Sequence, residues 1–90
     1  MKYKKVNELG MELIIATHQG VVMSLGEGDD WISIYSCNSA NEGKGEVQEA
    51  IKIIKDGYKD KKLYGSVPLN PTMEHIYKKL GVIYEEVESD

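Results

Sequence analysis

The stretch Cys37-Asn38-Ser39-Ala40-Asn41-Glu42-Gly43-Lys44-Gly45-Glu46-Val47 decides the fold, because the hydrophobic period changes across it. Before it, Trp31 to Cys37 alternates like a strand, with Trp31, Ser33, Tyr35 and Cys37 on one face and Ile32, Ile34 and Ser36 on the other. After it, Val47, Ala50, Ile51, Ile54 and Tyr58 fall at the spacing of an amphipathic helix, with Gly57 near its end as a cap. The stretch is therefore a polar, glycine-bearing loop from a strand to a helix N-terminus. The first N–H groups of a helix lack internal partners and carry partial positive charge, so such a loop suits an anion. Gly43 and Gly45 allow close backbone approach, and Lys44 can add charge. Taken alone, the motif is more often a plain glycine-rich turn feeding a helix. It is neither a Walker loop nor GxGxxG.

Upstream, Glu12 to Thr17 and Val21 to Leu25 read as strands joined by the tight turn His18-Gln19-Gly20. Gly26 to Asp30 is a second, polar turn. Lys2 to Leu9 is a leading strand or a frayed arm. Downstream, Lys62 to Val67 is a short strand. Asn70-Pro71 is an N-cap followed by proline at the first helical position. The second helix carries Met73, Ile76, Tyr77 and Leu80 on one face and stops at Gly81. Val82 to Val87 is a final strand before an acidic tail. The reading predicts one α/β (α+β) domain over residues 1–90, in β-β-β-α-β-α-β order. Its sheet is mixed and mainly antiparallel, because strand–helix–strand units cross over right-handedly.

Ninety residues bury only a modest core, so a second copy of the chain would help. Net charge is −4 with no basic block, which argues against nucleic acid. All 11 basic residues are lysines, so any phosphate must be held by lysine and backbone N–H groups rather than by an arginine fork. The single Cys37 excludes an internal disulfide and fits a reducing compartment. No apolar run is long enough to span a membrane, so a cytoplasmic location without a membrane partner is expected. His18 and His75 with one cysteine give no metal spacing, and both histidines read as surface residues.

With both blocks in view, the chain resembles the GNAT N-acetyltransferase superfamily. Glu42-Gly43-Lys44-Gly45-Glu46-Val47 looks like the loop Arg/Gln-x-x-Gly-x-Gly/Ala, whose amides hold the coenzyme A pyrophosphate. Asn70 and Ile76-Tyr77-Lys78-Lys79-Leu80-Gly81-Val82 look like the second signature, and the separation between the blocks matches. The resemblance covers roughly Trp31 to Tyr84. Glu42 stands where the family has Arg or Gln; in an alternative register Ala40 does.

The resemblance implies an acyl-CoA N-acyltransferase-like fold without the usual N-terminal helices, and acetyl-CoA as cofactor. It implies transfer of acetyl to an amine by direct attack. Tyr35, Ser36 and Cys37 would line the thioester arm, Glu42, Gly43, Lys44, Gly45, Glu46 and Val47 would form the pyrophosphate loop, and Asn70 would bond the arm. Tyr77 would protonate the departing thiolate, whose proton affinity is close to that of a phenol. The missing helices leave room for a large acceptor such as a protein side chain, or for a second subunit completing the pocket as a homodimer. The alternative is a non-catalytic module that kept the fold to bind CoA or a protein. Structural readings stand beside each role: Tyr77 as a core tyrosine, Asn70 as a cap, Cys37 as a small buried hydrophobe.

Overall fold

The computed structural model describes residues 1–40, 45–68 and 70–85. They form a small α+β domain: β1 (Lys2–Glu8), β2 (Met11–His18), β3 (Val21–Glu27), β4 (Trp31–Ser39), α1 (Glu46–Gly57), β5 (Lys62–Gly65) and α2 (Pro71–Leu80). One five-stranded mixed sheet runs in the order β1-β2-β3-β4-β5. The first four strands pair antiparallel, and β5 pairs parallel to β4.

The leading segment is a full strand, so the meander has four strands. Two-residue turns make it. Leu9-Gly10 and Gln19-Gly20 all have positive φ, the mirror-image turn whose twist suits a hairpin. The fifth strand is shorter than Lys62 to Val67 and ends at Gly65. The expected final strand is also reduced. Among the described residues only Ile83 pairs, in a parallel bridge to Tyr64, donating its N–H to the Leu63 carbonyl at 2.9 Å and accepting from the Gly65 N–H at 2.8 Å. Residues 86 and 87 of that expected strand lie outside the described residues.

Both helices cover one face of the sheet. The steps β4-α1-β5 and β5-α2-Ile83 advance in the same direction, and right-handed crossovers of that kind place their helices on the same side. Ile14, Ala16, Met23, Leu25, Ile32 and Ile34 point to this face and are buried against Ala50, Ile51, Ile54, Ile76 and Tyr77.

Helix α2 ends as its sequence predicts. The Asn70 carboxamide oxygen accepts from the Met73 N–H at 2.8 Å, Pro71 takes the first turn, and Gly81 caps in the left-handed region. Asn70→Ala should therefore cost about 1 kcal/mol. That is a fall in Tm of roughly 4–8 °C for a domain of this size, read by thermal melting. Helix α1 differs. Gly57 is its last residue, and Tyr58 rather than Gly57 is the C-cap. Lys55 Nζ donates to the Leu80 carbonyl at 2.6 Å and ties the two helices together.

Strand β4 carries the feature that simple alternation misses. The register of β3 and β4 slips between Ser24, opposite Ser36, and Leu25, opposite Ile34. Tyr35 is the extra residue, a β-bulge. The bulge resets the faces. Cys37, opposite the buried Met23, joins Ile32 and Ile34 on the helix-covered face. Ser36 joins Tyr35 and Ser33 on the other face, where its hydroxyl bonds that of Ser24 at 2.8 Å. The expected grouping of Cys37 with Tyr35, and of Ser36 with Ile34, is corrected by one inserted residue.

Candidate functional site

The bulge at Tyr35 coincides with the end of strand pairing on the other side of β4. Strand β5 accompanies β4 from Trp31 opposite Lys62 to Ile34 opposite Gly65 and stops there. A bulged strand bends and twists more strongly. The outer backbone edge of Tyr35, Ser36 and Cys37 is thus left without β5 beside it.

Helix α1 begins close to this edge. Its N-cap, Gly45, is left-handed with φ 76, and no side-chain cap is made to the helix among the described residues. The first intrahelical bond runs from the Glu49 N–H to the Gly45 carbonyl, so the N–H groups of Glu46, Val47 and Gln48 precede the internal ladder. A Cβ on Gly45 would meet nothing within 4 Å among the described residues.

A cleft of about 600 Å³ lies between the end of β4, the first turn of α1 and the first half of α2. Cys37, Gly45, Glu46, Val47 and Asn70 line it together, although they come from three separate elements. Tyr35 and Ser36 do not send side chains into it. The Tyr35 ring lies over Gly26, and both residues point to the opposite face, so only their backbone can serve the cleft. Glu42, Gly43 and Lys44 lie outside the described residues.

Tyr77 sits beneath this arrangement, 1% exposed. Its ring covers Gly65, and its hydroxyl hydrogen-bonds Ser66 and lies within electrostatic reach of Cys37. The phenol is therefore at the junction where β4 and β5 part. Burial pushes its pKa above the usual phenol value, Cys37 adds to that, and the Ser66 bond opposes it. Burial likewise pushes the Cys37 thiol up. A raised thiol is a poor nucleophile at neutral pH.

Beyond Ser39, which belongs to the loop stretch but was not an expected site residue, the polar lining residues Gln48, Thr72 and His75 were not legible in the sequence. They become visible only once the first turns of α1 and α2 are known to face each other. His75 is exposed at the cleft. His18 is not a surface turn residue but ends β2 beneath α1, with Nε2 3.6 Å from a Glu49 carboxylate oxygen and its side chain 15% exposed. Glu46 carries a buried carboxylate oxygen with no hydrogen-bond partner.

Among the described residues, no group of three or more His, Cys, Asp and Glu is placed to hold a metal. No described helix is long and apolar enough to cross a membrane. Comparison with family models, curated proteins and solved structures finds no match to the chain.

Proposed function

We propose that this chain is a minimal GNAT-like domain that binds acetyl-CoA in the β4/α1/α2 cleft and transfers the acetyl group to an amine. The observation that carries the reading is the bulge at Tyr35 placed where β5 leaves β4, with an uncapped helix start beside it. Acetyl-CoA, when bound, would supply an acetyl group activated as a thioester and leave as the coenzyme A thiol. The residues present fit such a ligand. The N–H groups of Glu46, Val47 and Gln48 offer partners to a diphosphate. The open edge of Tyr35 to Cys37 offers backbone bonds to an extended amide-bearing arm. Tyr77 Oη holds its proton at neutral pH where the strands part. With no arginine in the chain, the backbone carries most of the anion binding.

A second reading, a CoA- or protein-binding module without catalysis, is favoured by Glu46. Its carboxylate lines the cleft beside the N–H groups meant for an anion, and like charges repel. Glu46→Gln should therefore tighten CoA binding several-fold in calorimetry; weaker binding would place the carboxylate in a supporting role. Calorimetric titration with acetyl-CoA, followed by thiol release across an amine panel, separates the readings. Binding with release supports the transferase, and binding without release supports the module. No heat at millimolar ligand overturns the transferase and the CoA-binding module, and leaves protein binding as the surviving form of the second reading.

A further inference from the structure

The face of the sheet opposite the helices is uncovered among the described residues, and it carries a group of apolar side chains among Thr17, Ser24, Ser33 and Ser36. Leu13, Ile15, Val22, Trp31, Tyr35 and Tyr64 stand on it; Val22 is 43% exposed and Tyr35 45%. Trp31 and Tyr35 lie flat over Gly28 and Gly26, which gives the face broad aromatic ground rather than isolated side chains. Contiguous exposed apolar side chains of this kind are a feature of interaction surfaces.

We propose that this face is the interface of a homodimer in which two copies pack sheet against sheet. Size, edge chemistry and charge point to a second copy. Five strands about 4.8 Å apart and about seven residues long cover on the order of 550 Å² in projection. Side-chain relief enlarges that toward the ~800 Å² per partner of a standard stable interface.

The β1 edge argues against strand-to-strand pairing instead. Lys2, Lys4 and Lys5 are all exposed along it, and lysines guard edges. Charge then selects the orientation. Lys4 pairs with Ile15, in the row that continues through Ser24 and Ser36, and shares their face. Glu85 lies two residues past Ile83, on the same face at the far edge of the sheet, beside Ser33 and Tyr64. A two-fold axis parallel to the strands lays β1 of each copy over the far edge of the other, so Lys4 meets the partner copy's Glu85 twice. The symmetric pairing makes the interface self-complementary. This inference does not depend on the acetyl-CoA reading.

Sedimentation equilibrium of the full chain over a wide concentration range tests it, with far-UV circular dichroism to confirm folding. The expected mass is twice that of the chain. Ile15→Glu sets a carboxylate into the interface beside Lys4, where it also repels the partner copy's Glu85, and should raise the dimer dissociation constant by at least about a hundredfold while the spectrum stays native. Lys4→Glu and Glu85→Lys should each weaken the dimer several-fold, and the double reversal should restore it. A monomeric wild type, or a folded Ile15→Glu that remains dimeric, overturns the proposal. Should Ile15→Glu fail to fold, the charge pair decides: single reversals that leave the dimer unchanged overturn it.

Discussion

Tyr77→Phe is expected to leave the domain folded and to lower acetyl transfer by roughly 10²-fold or more, the scale of a positioned proton donor. The ring keeps its place over Gly65, so the core is preserved. Only the hydroxyl and its bond to Ser66 are lost, worth about 1 kcal/mol. Cofactor affinity should change little, because the lost atom lies beneath the cleft rather than at its anion-binding end. Tyr77→Ala is different. Truncating a buried aromatic side chain costs about 3–5 kcal/mol. A domain of 90 residues has roughly 5–13 kcal/mol in all. That variant should melt far below the wild type, and its inactivity would say nothing about mechanism. Steady-state thiol release and thermal melting on both variants separate the roles. An unchanged rate in Tyr77→Phe removes the phenol from proton transfer and leaves it a core residue.

Gly65→Val should cost about 1–3 kcal/mol and disturb the site as well. A Cβ at Gly65 would fall 2.8 Å from the Tyr77 ring and 3.0 Å from its hydroxyl oxygen. The ring has little room to retreat, since it is almost fully buried and lies against Tyr84, with centroids 5.5 Å apart. The substitution therefore forces the phenol away from the point where β4 and β5 separate. Lower Tm together with weaker turnover is the expected pair of results. Unaltered stability would show that the Gly65–Tyr77 contact is not tight.

Much of this architecture is legible in the sequence, and the reasons are local. Asn70, Pro71 and Gly81 each act within one turn of their own helix, so the bounds of α2 can be read directly. Gln19-Gly20 fixes its hairpin in the same way. The bulge at Tyr35 is not local. It exists only because β3 pairs with β4 in a particular register, and nothing in Trp31 to Cys37 announces an inserted residue. Strict alternation therefore places Cys37 and Ser36 on the wrong faces. Val82 to Val87 alternates like a strand, and among the described residues its pairing is the bridge at Ile83. The cleft lies between these cases. Cys37, Glu46 and Asn70 are recognisable singly, but parallel pairing of β5 with β4 is what gathers them around one space. Gln48, Thr72 and His75 follow from that assembly and from no motif.

The central claim is that the N–H groups at the start of α1 receive a phosphate-bearing ligand. Amide NMR spectra of the labelled chain, recorded while coenzyme A is added, test it most directly. The largest shifts are expected on Glu46, Val47 and Gln48, with smaller ones at Ser36, Cys37 and Asn70, and little change along β1. Saturating ligand with those amides unmoved, or with shifts confined to the opposite sheet face, would contradict it.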